Sequence, residues 1–307
     1  MVEARPILVT GGHRSGTGWV GEMLAATPSP TVAYLWEPFS LRARPGLCAA
    51  RFPYWFFYLR DQNAEPYRSA LQDTLTFRYR PGAELREART PKDLARLVRD
   101  WSRTAGYRRR GARPLMKDPI ALFSAEWVAD TFQMDTIVLI RHPAAFVNSI
   151  LGKGWEHPFD HFVRQPLLMR ELSGWDDEIR AYAEHARPLL DQAILLWNVI
   201  HDRILTYRER RADWAFLRHE DLSREPVAGF RQLYDRLGLT WTDRVLETIE
   251  AHSGTGNPAE TRDAASHRRD STAAIAAWKR RLTSDQIARI RARTERVASE
   301  LYDDDDW

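Results

Sequence analysis

A glycine-rich segment close to the amino terminus places the strongest constraint on the fold. Gly11–Trp19 reads GGHRSGTGW, follows the apolar run Ile7–Val9, and precedes a helical pattern with Val20, Met23 and Leu24 on one face. A short apolar run that ends at a glycine turn is typical of a buried strand. A glycine turn between strand and helix directs backbone N–H groups and the positive end of the helix toward an anion. The segment therefore predicts a β–turn–α unit with a phosphate site.

A second segment of the same kind lies about 120 residues further on. Arg141–Ser149 reads RHPAAFVNS and follows the apolar run 137–140. It places an arginine at a strand end and a serine two helical turns later, both of which bind phosphate well. Together, the two segments predict the two ends of a site for a nucleotide with phosphates at its 5′ and 3′ positions.

Other strands alternate with helices along the chain, which predicts a mainly parallel sheet in one α/β domain spanning 1–307. The pattern predicts strands at 6–11, 31–36, 136–140 and 214–217, and a short apolar piece at 115–116. Ligands bind at the carboxyl ends of the strands in such sheets. Four polar side chains follow those ends and are expected to share one cleft: Arg14, Glu37, Lys117 and Arg141.

Two stretches lack clear periodicity, and we expect both to lie on the acceptor side of the sheet. We expect 41–112 to form an insertion of short helices and loops over the sheet, and 155–187 to be irregular. Asp93–Trp101 is the best helix in the first. Elsewhere the spacing of apolar residues predicts helices from Leu190 to Ile204, over Pro226–Leu237, and near the carboxyl terminus from Ile287 to Leu301. The acidic run Asp303–Asp306 is expected to be a solvated, frayed end.

Composition excludes several classes of protein. A formal net charge of +3 on 307 residues gives no support to nucleic-acid binding. The single Cys48 rules out an internal disulfide, which fits a reducing compartment. No secretory leader is recognisable, and no apolar run approaches the ~20 residues of a membrane span. We therefore expect a soluble cytoplasmic protein, whose oligomeric state the sequence leaves open.

The glycine segment differs from a nucleoside-triphosphate loop at the decisive position. Gly11 and Gly16 have the spacing of a P-loop, but Thr17 stands where a Walker A loop has its lysine. The basic residue is Arg14, inside the loop. ATP chemistry needs that lysine at the β- and γ-phosphates, so ordinary kinase chemistry is disfavoured.

Four segments, in order, resemble those of the sulfotransferases that use 3′-phosphoadenosine 5′-phosphosulfate (PAPS). Arg14–Trp19 resembles the family's 5′-phosphosulfate loop, and Arg141–Ser149 resembles its 3′-phosphate motif. Phe216–Leu222 (FLRHEDL) and Trp278–Thr283 (WKRRLT) are similar to two later family segments. The resemblance covers nearly the whole chain except 41–112 and 155–187, and its motif style is closest to that of the carbohydrate sulfotransferases.

This resemblance implies a single α/β domain related to nucleotide kinases, which transfers a sulfonate from PAPS to a hydroxyl and uses no metal. The residues that it assigns to the 5′-phosphosulfate are Arg14, Ser15, Gly16, Thr17 and Gly18. Trp19 is placed near the adenine, and Arg141 with Ser149 at the 3′-phosphate. The family's Arg-Lys-Gly triplet is replaced by a loose match, so either Arg268 or Arg269 closes over the 3′-phosphate.

The acceptor hydroxyl must lose a proton, and the resemblance points to Glu37 as the general base. In Trp36–Phe39 (WEPF) this glutamate occupies the place of the base in relatives that act on carbohydrates. The histidine used by relatives that act on phenols is absent, because the corresponding segment is Lys117–Pro119 (KDP). Asp118 is the alternative base. Lys117 either lies near the sulfonate or acceptor, or pairs with Asp118.

The acceptor is predicted to be a carbohydrate or a glycosylated small molecule, with a phenolic metabolite as the alternative. Seven aromatic residues in the two insertions could line its pocket or pack a lid onto the core: Trp55, Phe56, Phe57, Tyr58, Trp155, Phe159 and Phe162. Two rival functions stay open, an ATP-dependent small-molecule kinase and a nucleotide-binding protein that has lost transfer activity.

Overall fold

The computed structural model describes residues 4–258 and 268–307. Its strands are β1 (Ile7–Gly11), β2 (Val32–Trp36), β3 (Arg113–Lys117), β4 (Asp135–Ile140) and β5 (Ala215–Arg218). They form a five-stranded sheet in the order β2–β3–β1–β4–β5, and every paired neighbour is parallel. The predicted α/β class and parallel sheet are therefore confirmed, and β3 extends beyond its predicted two-residue core.

Helices cover both faces of the sheet. They are α1 (Thr17–Ala25), α2 (Asp61–Leu75), α3 (Pro81–Glu87), α4 (Pro91–Arg109), α5 (Ala125–Phe132), α6 (Pro143–Leu151), α7 (Asp160–Val163), α8 (Pro166–Glu171), α9 (Asp176–Glu184), α10 (Leu189–Arg210), α11 (His219–Arg224), α12 (Pro226–Leu237), α13 (Asp243–Ser253), α14 (Ser271–Ile275) and α15 (Ser284–Ala298). Short 3₁₀ helices occupy Pro119–Ser124, Ser173–Trp175, Ala277–Arg280 and Asp304–Asp306.

The central strand β1 divides the hydrophobic core into two layers. Its side chains alternate, so Ile7 and Val9 pack into the layer that contains α1, α12 and α13, whereas Leu8 packs into the layer that contains α6 and α10. All five residues of β1 are buried, as expected for a strand covered by helices on both faces. This arrangement fixes the carboxyl end of β1, from which the glycine turn starts.

Both stretches that lack periodicity contain helices. Residues 41–112 contain α2, α3 and α4, as expected of an insertion of helices and loops, whereas 155–187, predicted to be irregular, contain α7, α8 and α9. Helix α4 is longer than the predicted Asp93–Trp101, since it begins at Pro91 after a Thr90–Asp93 capping box and ends at Arg109. Pro81, Pro91 and Pro166 stand at first helical positions, where no N–H is needed, whereas Pro66 lies inside α2.

The acidic carboxyl-terminal run is only partly as predicted: 303–305 are exposed, as expected of a solvated end, but Asp306 is docked rather than frayed. Asp306 accepts hydrogen bonds from Arg218 at 2.6 Å and from Arg224 at 3.4 Å. The ring of Trp307 packs against His142, with ring centroids 4.5 Å apart. A few residues earlier, the Tyr302 hydroxyl donates to buried Glu220. The sequence shows the charges of this run but not the arginines that neutralise them.

Candidate active site

A cleft opens at the carboxyl ends of the strands, where ligands of parallel sheets bind. It is lined by His13, Arg14, Gly16, Thr17, Gly18, Trp19, Glu37, Lys117, Pro119, Arg141, Trp155, His219, Ser223, His252, Arg269, Ser271 and Ala274. The four side chains expected to share one cleft, Arg14, Glu37, Lys117 and Arg141, all belong to this lining. Four cations face it with a single carboxylate among the lining residues, so the cleft attracts anions.

The glycine turn presents the start of α1 to this cleft. Gly16 precedes the helix with φ +91°, a conformation that favours glycine, and no side chain caps the first turn. A β-carbon at Gly16 would lie 2.5 Å from the ring of His219, so the turn and the start of α11 approach too closely for any larger residue. The N–H groups of the first turn of α1 have no acceptor within the helix, which is the arrangement that an anion site requires.

The loop serine behaves differently from its neighbours. The Ser15 N–H donates to the carbonyl of Gly12 at 3.1 Å, and the Ser15 hydroxyl is buried without a hydrogen-bond partner among the described residues. Its amide thus closes the turn, whereas Gly16, Thr17, Gly18 and Trp19 reach the cleft.

Arg14 joins the two predicted phosphate motifs. Its Nε donates to the Ser149 hydroxyl at 3.0 Å, and its carbonyl accepts a hydrogen bond from the Arg141 guanidinium. Burial and the nearby Arg269 lower the pKa of Arg14 from its ordinary value. Burial lowers the pKa of Arg141 to about 10, so Arg141 stays cationic at neutral pH. The Nε of Arg141 is buried and has no partner in the described parts of the chain.

Glu37 and Lys117 form an ion pair at the other end of the cleft. The Lys117 Nζ lies 2.5 Å from the Glu37 Oε1, and both side chains are mostly buried. The Glu37 N–H donates to the Lys117 carbonyl at 2.9 Å, which extends the β2–β3 pairing past the strand ends. The indole of exposed Trp36 lies beside the ammonium, 5.4 Å from ring centroid to Nζ. Of the two arrangements expected for Lys117, the structure does not show the pair with Asp118. The other, a position near the sulfonate or acceptor, stays a prediction, and Lys117 belongs to the cleft lining.

Asp118 organises the turn after β3 and is absent from the cleft lining. Its fully buried carboxylate accepts hydrogen bonds from the N–H groups of Phe39 at 2.6 Å, Ile120 at 3.0 Å and Ala121 at 3.1 Å. Burial, together with the nearby Glu37 carboxylate, raises the pKa of Asp118 to about 7. That pKa suits a base, but both oxygens are already engaged by the backbone.

His13 and Trp155 form a wall of the cleft beside Arg14. Burial, aided by the charge of Arg14, lowers the pKa of His13 to about 4, so this imidazole is neutral at physiological pH. Its ring contacts Phe146 edge-on at 5.2 Å and Trp155 at 6.3 Å. Trp155 is 46% exposed and lies 5.7 Å from the Arg14 guanidinium carbon.

Most of the aromatic residues considered for an acceptor pocket belong to the core instead. Phe56, Phe57, Tyr58, Phe159 and Phe162 are buried in the larger hydrophobic layer. Trp55 packs against that layer from its edge, and Trp155 reaches the cleft. Of the two interpretations of this aromatic set, packing onto the core describes nearly all of it.

The structure distinguishes between the two arginines expected at the 3′-phosphate. Arg269 lines the cleft, whereas Arg268 is exposed outside it. Outside the glycine segment, sequence reasoning missed four polar lining residues: His219, Ser223, His252 and Ser271. His219 directly follows β5, so the strand-end rule that found Arg141 could have found it. The other three come from helices with no distinguishing motif.

Within 4–258 and 268–307, the structure brings together no group of three or more His, Cys, Asp or Glu residues that could hold a metal ion. In the same ranges, every helix is too short or too polar to cross a bilayer.

The chain is similar to known proteins in its sequence family and in its fold. Residues 6–243 match the family model described as "Sulfotransferase family". The sulfotransferase domain from the curacin biosynthetic pathway shares the fold, with 17% identity, a TM-score of 0.50 and 97% of each chain covered. The sulfotransferase domain from the Synechococcus PCC 7002 olefin synthase has 20% identity and a TM-score of 0.46 over 98% of this chain and 96% of that one. Mouse sulfotransferase SULT7A1 complexed with PAP has 13% identity and a TM-score of 0.47 over 94% of this chain and 83% of that one.

A search of curated protein sequences found no significant match. Since the family model spans most of the sequence, the chain belongs to the sulfotransferase family.

Proposed function

We propose that this protein transfers the sulfonate group of PAPS to a hydroxyl of a carbohydrate or glycosylated small molecule and releases adenosine 3′,5′-bisphosphate. The observation that carries the proposal is the cleft itself, in which Arg14, Arg141 and Arg269 converge on the start of α1 while Glu37 and Lys117 stand at the other end. A bisphosphorylated nucleotide requires such a cationic surface, and a hydroxyl acceptor requires a base beside it.

The residues present fit the donor. The buried Nε of Arg141, which has no partner among the described residues, is a donor that a 3′-phosphate would satisfy, with Ser149 held nearby by Arg14. The N–H groups of Gly16, Thr17 and Gly18 at the start of α1 serve the 5′ phosphosulfate, and Arg14 offsets charge on the leaving oxygen.

Glu37 is the proposed general base. It accepts the proton of the acceptor hydroxyl as the new O–S bond forms, and before that step its carboxylate is paired with the adjacent ammonium of Lys117. Once Glu37 carries that proton, Lys117 is released to stabilise the transferred sulfonate. Asp118 is less suitable because backbone N–H groups occupy its oxygens.

The surface near Glu37 favours a sugar over a phenol. Two exposed indoles, Trp36 and Trp155, flank the base and Arg14, and open aromatic faces suit the C–H face of a sugar ring. A phenol needs an enclosed apolar pocket, yet the aromatic residues that could build one are packed in the core.

Ligand-dependent stability tests the donor site. Adenosine 3′,5′-bisphosphate at ~100 times its dissociation constant should stabilise the protein by ~2.7 kcal/mol. For a chain of this size, that raises the thermal midpoint by about 4 °C. ATP with magnesium should give no comparable rise in the same scan. A rise with ATP and magnesium alone would replace this proposal with a kinase, and no rise with either would indicate an inactive relative.

Replacing Trp36 tests the acceptor class. Trp36→Ala should raise KM for a glycosylated acceptor about three- to tenfold, the equivalent of one aromatic contact, and should leave KM for PAPS unchanged. Trp101→Ala is the matched control, because Trp101 is similarly exposed but lies on α4, outside the cleft. Equal KM values for Trp36→Ala and wild type would contradict the stacking role.

A further inference from the structure

Helix α4 carries an exposed apolar row that nothing in the described chain covers. Leu94, Val98 and Trp101 have exposed fractions of 46%, 59% and 53%. Their spacing of four and three residues places them on one face of the helix. Leu85 on neighbouring α3 is also exposed, so most of the large exposed hydrophobic residues described lie in this region. An apolar row of this kind on a folded protein marks an interaction surface.

Two further rows lie beside it. At about 100° per residue, exposed Ala95 and Ser102 follow the apolar row around the helix, and exposed Arg99 and Arg103 follow next. Small side chains in the middle row allow another helix to approach within the usual 8–10 Å or so between axes. We call these three rows the α4 face.

Charge defines what fits this face. Residues 81–110 contain nine Lys or Arg and four Asp or Glu, whereas the rest of the chain contains 36 and 38. Two of the four acids are buried: Glu84 pairs with Arg44, and Asp100 is shared by Arg44, Arg99 and Arg103. One buried carboxylate thus faces three guanidinium groups, and Arg99 and Arg103 keep an excess of positive charge at the surface. The region is therefore strongly cationic on a molecule that is otherwise slightly acidic. A second copy of the chain would bring two cationic faces together, which disfavours self-association here.

We propose that the α4 face binds an acidic amphipathic helix of a partner protein. The partner's apolar edge packs on Leu94, Val98 and Trp101, and its acidic edge reaches Arg99 and Arg103. A flat membrane is a poorer fit, because the arginine row lies far around the helix from the apolar row and would face away from the headgroups. The proposal concerns protein recognition and does not depend on the transfer reaction.

Two labelled helical peptides of about 18 residues, roughly five turns, test the proposal with the full-length protein. One has leucines along one edge and glutamates along the next, and the other has lysines in place of the glutamates. Fluorescence anisotropy should show binding of the glutamate peptide that weakens as salt rises, and at least tenfold weaker binding of the lysine peptide.

Three variants assign the binding to the α4 face. Val98→Ser with Trp101→Ser should weaken binding of the glutamate peptide at least tenfold. Arg99→Glu with Arg103→Glu should do the same and should gain binding of the lysine peptide. Arg170→Glu with Arg244→Glu, which changes as many exposed charges elsewhere, should bind like wild type. A cooperative thermal transition and unchanged turnover would show that each variant is folded. The Arg99→Glu, Arg103→Glu variant should melt at a lower temperature, because both arginines pair with buried Asp100.

Several results would overturn the proposal. One is equal binding of both peptides, or no binding of either. Another is binding of the wild-type protein to lipid vesicles made of one part phosphatidylserine and three parts phosphatidylcholine. If the Val98→Ser, Trp101→Ser variant lost that binding, the face would be assigned to a membrane. A dimer in sedimentation that the same variant abolishes would assign it to a second copy.

Discussion

Glu37→Gln should lower kcat by about 10²–10⁴-fold, the usual contribution of a positioned general base. Glutamine keeps the size of the side chain and can still accept a hydrogen bond from Lys117, but it cannot take up the acceptor's proton. Because Glu37 lies at the opposite end of the site from Arg141 and Ser149, the affinity for adenosine 3′,5′-bisphosphate should be unchanged. Steady-state turnover and bisphosphate titration on the same preparation measure both quantities.

Glu156→Gln provides the control, since Glu156 is exposed near Trp155 and no function is proposed for it. It should retain the wild-type kcat. If Glu37→Gln kept turnover within about threefold of wild type while folding normally, Glu37 would not be the base. A loss of bisphosphate affinity equal to the loss of turnover would instead show that the substitution disturbs the whole cleft.

Arg141→Met should weaken binding of adenosine 3′,5′-bisphosphate by about 30- to 1,000-fold, because a buried charged hydrogen bond to an anion contributes ~2–4 kcal/mol. The same side chain donates to the Arg14 carbonyl, so the substitution also loosens the glycine turn. KM for the acceptor should change much less than KM for PAPS. Isothermal titration gives the affinity, and initial rates separate the two KM values.

Two neighbouring arginines supply matched controls for that result. Arg269 lines the cleft and Arg268 does not, so Arg269→Met should weaken bisphosphate binding about tenfold and Arg268→Met less than threefold. If the two variants behaved alike, the cleft would not distinguish between them. Wild-type affinity in Arg141→Met would remove the 3′-phosphate assignment altogether.

The parts of the fold that the sequence predicts well are those in which local pattern and tertiary environment agree. Buried parallel strands need apolar residues on both faces, so β1 and β4 are visible as continuous apolar runs. The glycine that ends β1 signals the turn that carries Arg14, and the rule that ligands bind at strand ends predicts Glu37, Lys117 and Arg141 in the same cleft.

The parts that the sequence predicts poorly depend on contacts between distant residues. In the sequence, the prolines at the start of α3, α4 and α8 suggest the end of a helix. In the structure the residue before each proline is non-helical, so each proline begins a helix instead. Aromatic residues of 155–187 pack against those of 41–112, as in the contact between Phe56 and Phe162, so neither stretch shows a periodicity of its own. The pairing of Lys117 with Glu37 rather than Asp118 follows from the orientation of strand-end side chains, which spacing does not specify.

The docked residues 302–307 have a consequence for how the nucleotide end of the cleft is held. Glu220 accepts hydrogen bonds from the backbone N–H of His142 and from the Tyr302 hydroxyl, and Trp307 covers the His142 ring. His142 adjoins Arg141, so the turn that carries this cation is supported by residues that lie far from it in sequence. Without residues 302–307, Glu220 would lose the Tyr302 hydrogen bond while buried, which is costly. The order of the nucleotide end of the cleft therefore depends on a segment outside the sheet and outside the cleft lining.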